Sequence, residues 1–134
     1  MKTIQLLLLF SIFLSLPAVL PAQEKDQTFD PAYTHVVYFW LHRSDDSRDR
    51  ADFEKALRKL LADSRYTRTN FFGTPPRATR EVVDDSFTYG MIVTFESAES
   101  QEAYQKEQAH LDFIETAGHL WKKVVVYDAI GITP

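Results

Sequence analysis

Cysteine is absent from the 134-residue chain. Without a thiol there can be no cysteine nucleophile, no disulfide, no cysteine-ligated zinc or iron–sulfur site and no lipoprotein anchor. A domain of this size without disulfides must rely on its hydrophobic core or on a partner subunit for stability. The four histidines also lack a ligand spacing that a third ligand supports, so we expect no metal site.

An excess of basic residues is lacking as well. Lys and Arg number 15 against 19 Asp and Glu, which gives a net charge of -4. A protein that binds nucleic acid in general needs a basic face, so we expect no nucleic-acid partner. The sequence contains no cofactor motif either, and we expect any chemistry to use side chains alone.

The longest apolar stretch lies at the N-terminus, over residues 4–16, and follows Lys2. A membrane anchor is the competing interpretation, but the apolar stretch is short for a membrane span. Pro17, Pro21 and Ala22 then provide the extended, small-residue region that a signal peptidase cleaves. We therefore predict a signal peptide over residues 1–22, a periplasmic or secreted destination and no membrane segment after cleavage. Loss of Lys2 would leave 14 basic and 19 acidic residues, a net charge of −5.

The rest of the chain shows two β-α-β units after a polar leader, residues 23–33, which we expect to be disordered. Aromatic and β-branched runs predict strands, and apolar residues at helical spacing predict helices. The predicted elements are strands at 34–41, 65–76, 86–97 and 122–132, and helices at 50–64 and 98–108 with further helical turns at 110–121. This order predicts a ferredoxin-like, split βαβ α+β domain with a four-stranded antiparallel sheet and helices on one face.

Apolar residues occupy both faces of the predicted strands. In the first strand Val37 and Phe39 point one way, whereas Tyr38 and Trp40 point the other way. Two helices can cover only one face of the sheet, and an antiparallel sheet with one wet face should alternate cleanly. We therefore predict a homodimer through the open sheet face, with two sheets forming a barrel. The alternative is a monomer with an exposed apolar patch.

Four short motifs, taken in order, resemble the stress-responsive A/B-barrel (Dabb) family over residues 34–132. They are His35 at the start of the first strand, the "TFES" of residues 94–97, the trio Tyr104, His110 and Phe113, and the closing Tyr127-Asp128. The resemblance implies a ferredoxin-like dimeric α+β barrel. Some plant members are similar to polyketide cyclases, in which the histidine matching His110 is the general base and the tyrosine matching Tyr104 orients the substrate.

The signal peptide predicts export, and the resemblance implies a barrel protein that binds or transforms a small apolar or phenolic molecule by cofactor-free acid–base chemistry. His110 and Tyr104 are the candidate catalytic residues, and His35, Tyr89 and Phe113 are the candidate ligand-binding residues. Tyr89 stands where those cyclases place another histidine. The alternatives are a non-catalytic dimeric stress-response module and a cofactor-free barrel resembling monooxygenases.

The residues themselves leave structural interpretations open. His110 could be a capping or packing histidine, and Tyr104 a core tyrosine with its hydroxyl at the rim. Six residues separate the two, which is not one helical face, so they meet only if the chain turns near Gln108. His35 could instead be a strand-end histidine bonded to backbone.

Overall fold

A computed structural model of the protein describes residues 32–132. The predicted signal peptide lies outside the described residues, as does the predicted leader except for its last two positions. The elements in chain order are β1 (Tyr33–Leu41), α1 (Ser47–Asp63), β2 (Asn70–Gly73), β3 (Tyr89–Phe95), α2 (Ala98–Lys106), α3 (Gln108–Ala117), a 3-10 turn (Gly118–Leu120) and β4 (Trp121–Ile130). The first strand thus begins one residue earlier than predicted.

The four strands form one antiparallel sheet with the order β2-β3-β1-β4. Burial alternates strictly along β1, so one of its faces is covered and the other is not. The register places His35 opposite Val93 of β3 and opposite Asp128 of β4. The ferredoxin-like α+β fold with a four-stranded antiparallel sheet is therefore confirmed.

Helix α1 begins where the sequence places a polar cap. The Asp46 carboxylate accepts hydrogen bonds from the backbone N–H groups of Arg48, at 2.9 Å, and Asp49, at 3.0 Å. These bonds satisfy donors that a helix N-terminus otherwise leaves unpaired. Phe53 and Leu57 follow at helical spacing and are fully buried against the sheet. The cap and the apolar stripe together fix this helix, which begins three residues before the predicted start at residue 50 and ends one residue before the predicted end at residue 64.

Two strands are shorter than predicted, and threonine hydroxyls accept backbone hydrogen bonds at their ends, beside the remaining backbone bonds. Residues 65–76 were predicted as one strand, but only Asn70–Gly73 pairs with β3. Before it, the Thr69 N–H donates to the Thr94 hydroxyl at 3.1 Å. Residues 86–97 likewise reduce to Tyr89–Phe95, and there the Thr88 hydroxyl accepts from the Leu41 N–H at 3.0 Å.

The predicted second helix is interrupted at Glu107, whose backbone is extended with φ -71 and ψ 153. Tyr104 in α2 and Phe113 in α3 are both buried. In one continuous helix, nine residues turn the chain by two and a half turns, so these rings would point in opposite directions. The break lets both rings reach the core, which explains why α2 and α3 are separate helices.

The face of the sheet away from the helices carries apolar side chains, as predicted. Phe71 and Tyr127 are each 63% exposed there. A depression of ≈ 240 Å³ on this face is lined by Tyr38, Phe71 and Phe87, among others. Phe87, just before β3, packs against Tyr38 on this face with ring centroids 4.7 Å apart. Strict alternation back from Tyr89 would place Phe87 on the other face, so the alternation of β3 does not extend to it.

Candidate functional site

Four rings from four different elements meet between the sheet and helices α2 and α3. The ring centroids of Tyr104 and His110 lie 4.8 Å apart, and those of His35 and Tyr104 lie 6.1 Å apart. Phe95 contacts this group, with its ring centroid 5.0 Å from that of Tyr104. The structure therefore brings together both candidate catalytic residues and one of the three candidate ligand-binding residues.

The helix break is what brings His110 to Tyr104. Tyr104 is the last buried residue of α2, and His110 lies in the first turn of α3. The predicted turn near Gln108 is present, one residue earlier, at Glu107. Each helix keeps its own apolar face toward the sheet, so two residues that would not share one helical face meet across the break.

His35 is held by a carboxylate on the neighbouring strand. Its Nδ1 lies 2.6 Å from Oδ1 of Asp128, and His35 is only 6% exposed. A carboxylate can only accept, so Nδ1 carries the hydrogen, and in the neutral ring Nε2 is the acceptor. The side chain of Asp128, and not the backbone, is thus the partner of His35. Burial raises the pKa of the neighbouring Tyr33, and Asp128 raises it further.

His110 is half-buried, and burial lowers its pKa below the ordinary value. His35 lowers the pKa further, whereas the backbone of Gln105 and the carboxylate of Glu107 act in the opposite direction. Its Nδ1 is buried and has no hydrogen-bond partner among residues 32–132. A neutral imidazole with a pKa below 6.5 is uncharged at neutral pH, so it can accept a proton there.

Tyr104 is 1% exposed, and its pKa is raised, first by burial and then by the charge of Glu107. The phenol therefore stays protonated over the whole physiological range of pH. A protonated phenol beside a neutral imidazole forms a donor and acceptor pair. This pair can remove a proton from a bound molecule at one position and donate a hydrogen bond at another.

The sequence profile described as the Stress responsive A/B Barrel Domain (Dabb) matches residues 33–130, which is most of the chain. This protein belongs to the Dabb family. No curated protein matches the chain.

Solved structures with a similar fold cover about three quarters of the chain. The hydroxynitrile lyase from Passiflora edulis is 19% identical with a TM-score of 0.64, covering 75% of this chain and 94% of that chain. A Dabb family protein from Mesorhizobium loti is 17% identical with a TM-score of 0.63, covering 75% and 97%. A dimeric ferredoxin-like protein of unknown function from Thermobifida fusca is 14% identical with a TM-score of 0.60, covering 73% and 89%. Identities this low show a shared fold only.

In this Dabb chain Tyr89 and Phe113 lie apart from the His110 group. Tyr89 pairs with Phe39 on β1, four residues beyond His35, which corresponds to about 13 Å along the strand. The Tyr89 ring stacks on Phe53 at 4.8 Å, and its hydroxyl donates to Oε1 of Glu54 at 2.6 Å.

Phe113 belongs to the same separate cluster. Its ring centroid lies 5.5 Å from that of Trp121 and 6.0 Å from that of Phe53. The alternation of β3 therefore predicts the correct face for Tyr89, but neither ring joins His35, Tyr104 and His110.

Three polar residues near the site were given no role in it from the sequence, although one of them, Asp128, belongs to the closing motif. They are Asp128, Glu107 and Gln101. Asp128 could have been found, because the last strand of this fold runs antiparallel to the first and its closing carboxylate must lie near His35. Nε2 of Gln101 and Oε1 of Glu107 are buried without a hydrogen-bond partner in the described part of the chain.

Residues 32–132 lack the features of two other kinds of site. Among these residues, no group of three or more His, Asp or Glu side chains is arranged to hold a metal ion. Within the same range, no helix has both the length and the apolar character needed to cross a membrane.

Proposed function

We propose that this Dabb protein binds a small apolar or phenolic molecule and transforms it by acid–base chemistry of its own side chains. The observation that carries the proposal is the half-buried His110, with its lowered pKa, 4.8 Å from the ring of Tyr104. Phe95 borders the pair and makes part of the surroundings apolar. Such surroundings suit an apolar molecule with one polar group.

In the proposed reaction neutral His110 accepts a proton from an activated C–H or a phenolic O–H of the bound molecule. The electron pair of the broken bond moves toward the oxygen of the molecule, and Tyr104 donates a hydrogen bond to that oxygen. His110 then returns the proton to a different atom of the product. A base with a pKa near or below neutrality is suited to both halves of this cycle.

The fold comparison gives limited support. One solved neighbour is a hydroxynitrile lyase, so the same architecture supports an enzyme in at least that protein. A fold hosts many functions, and the residues of the site must carry the argument here.

Hydrogen–deuterium exchange would test the acid–base role without a known substrate. The purified protein would be incubated in D₂O with a panel of aryl ketones and phenols that bear activated C–H groups. We expect catalysed exchange in at least one compound, reduced about 100-fold or more by His110→Ala and less strongly by Tyr104→Phe. His119→Ala is the control, because His119 is exposed on the 3-10 turn. Unchanged exchange in His110→Ala would rule out the general base.

A non-catalytic role is the second candidate, and tight packing favours it. Tyr104 and His35 are almost completely buried, and both rings contact Phe95. Rings packed in this way can stabilise the hydrophobic core without binding or transforming a ligand. If the unmodified protein exchanges no compound of the panel and binds none of them, this candidate replaces the first.

We also propose that the protein is a homodimer that joins the open sheet faces. The exposed rings of Phe71 and Tyr127 on that face support it, and one solved neighbour is described as dimeric. Sedimentation equilibrium should give twice the chain mass, and Phe71→Asp should shift it toward the monomer. Val82→Asp is the control, because Val82 is 85% exposed in the loop between β2 and β3. A monomeric unmodified protein would contradict the dimer.

Export is a further part of the proposal, and residues 1–22 support it. N-terminal sequencing of the protein from its own host should find a start near Gln23. Protein that keeps Met1 would contradict cleavage.

A further inference from the structure

Glu107 stands at the N-cap position of α3 but does not cap the helix. Asp46, at the same position of α1, accepts from two N–H groups of its own helix. Oε2 of Glu107 instead accepts from the backbone N–H of Arg65 at 3.1 Å. Oε1 is buried and has no hydrogen-bond partner in residues 32–132. The carboxylate is therefore turned away from the helix end that it could have capped.

The unpaired carboxylate oxygen belongs to the same helical turn as His110. Glu107 is the N-cap of α3, and its carbonyl accepts from the His110 N–H at 3.1 Å, so the two residues bound the first turn of the helix. Nδ1 of His110 is also buried without a partner in the described chain. Buried polar atoms are nearly always hydrogen-bonded, so two unpaired ones on a single turn call for a shared explanation.

The two atoms are chemically complementary. An ionised carboxylate oxygen can only accept, whereas Nδ1 of a neutral imidazole donates in one of its two tautomers. The charge of Glu107 also acts on both members of the proposed pair, because it raises the pKa of His110 and that of Tyr104. Glu107 is thus close enough to influence the protonation of the His110 ring, which is the proposed base.

We propose that Glu107 is the positioning carboxylate of His110. One bridging water accepts the hydrogen of Nδ1 and donates its own hydrogen to Oε1 of Glu107. This arrangement holds the neutral ring in the Nδ1–H tautomer and leaves Nε2 as the basic nitrogen. The inference rests on the proposed function, in which His110 is the base.

Other charged groups surround both partners. His35, bonded to Asp128, and Tyr104 face His110 from β1 and α2. Asp63 and Asp112 line, together with Glu107, the cleft of ≈ 470 Å³ between α1 and α3. Of the three carboxylates that line this cleft, Glu107 is the one whose charge shifts the pKa of His110, so its removal should change the ring.

The test is nitrogen-15 NMR of the His110 ring in the full protein, at a pH where the ring is neutral. The chemical shifts of Nδ1 and Nε2 report which nitrogen carries the hydrogen. We expect the Nδ1–H tautomer to dominate in the unmodified protein. Glu107→Gln should lower the ratio of the Nδ1–H to the Nε2–H tautomer about tenfold, because a charge-assisted hydrogen bond is lost. The pKa of His110 should fall in the same variant.

Two further variants make the test specific. Glu115→Gln removes an exposed carboxylate from the same helix and should change neither the ratio nor the pKa. Glu107→Met removes the acceptor completely, so it should give at least the effect of Glu107→Gln. If both Glu107 variants keep the original tautomer ratio and pKa, the inference is wrong.

The NMR test and the exchange assay can give negative results independently, so failure of the positioning role is distinguishable from failure of the proposed function. A tautomer shift in Glu107→Gln without any catalysed exchange in the unmodified protein would keep the positioning role of Glu107 and refute the proposed function. Catalysed exchange with an unchanged ring in the Glu107 variants would keep the function and refute the positioning role.

Discussion

The contact between His35 and Asp128 should stabilise the fold measurably. The two side chains are 2.6 Å apart, with 8% of the His35 side chain and 38% of the Asp128 side chain exposed. A hydrogen bond to a charged group contributes about 1.5–3 kcal/mol. Because Asp128 is partly in solvent, screening reduces the expected coupling energy to about 1–2 kcal/mol. This energy corresponds to a change of about 5- to 30-fold in the unfolding equilibrium constant.

A double-mutant cycle would isolate this energy. His35→Phe, Asp128→Ala and the double variant would be unfolded with urea and followed by tryptophan fluorescence. All samples need the same protein concentration, because a dimer would make stability depend on concentration. His35→Phe keeps a ring of similar size in the core, so the cycle removes the hydrogen bond and cancels most of the packing change.

The pair of Glu102 and Lys106 is the matched control. It has the same separation of 2.6 Å, but its side chains are 69% and 72% exposed. An exposed pair at helical spacing contributes about 0.3–0.5 kcal/mol. If the coupling of His35 and Asp128 is no larger than that of the control, burial does not strengthen the contact, and the reasoning is refuted.

Three further predictions concern stability, each measured by urea unfolding. Asp46→Ala should lower the free energy of unfolding by about 1 kcal/mol through loss of the α1 cap, whereas Asp45→Ala should change it by less; equal effects would contradict the cap. Phe53→Ala should cost about 3–5 kcal/mol because Phe53 is fully buried, and Val82→Ala less than about 0.5 kcal/mol; a small loss at Phe53 would contradict its place in the core. Burial lowers the pKa of His110, so the unfolded chain binds its proton more readily. Stability should therefore fall as pH drops from about 6.5 through the folded pKa, and His110→Asn should flatten this slope; an unchanged slope would contradict a neutral, buried His110.

The fold could be predicted because its signals are local and repeated. The alternation of Val37 and Phe39 with Tyr38 and Trp40 predicts a strand with two apolar faces, and the burial along β1 agrees. The ends of β2 and β3 could not be predicted from such patterns. Hydroxyl groups of threonines accept backbone hydrogen bonds there, beside backbone-to-backbone bonds, and this depends on which threonine faces which backbone group.

The candidate site was predictable in part. Tyr104 and His110 can meet only if the chain turns between them. The buried residues before and after Glu107, Tyr104 and Phe113, would also point in opposite directions on one continuous helix, which again requires a break. The fold places Asp128, near the end of β4, close to the start of β1, but its bond to His35 also requires the exact register of the two strands, which a single sequence does not give. Tyr89 was placed on the correct face, but alternation along a strand does not say how far along it a side chain lies.

Native mass spectrometry of the protein purified from its own host tests the central claim most directly, namely that the chain holds a small molecule beside His110 and Tyr104. We predict a dimer that carries a defined additional organic mass, and we predict that His110→Ala retains less of it. An empty protein in which the unmodified chain and the variant give identical spectra, even after addition of the compounds of the exchange panel, would contradict the claim.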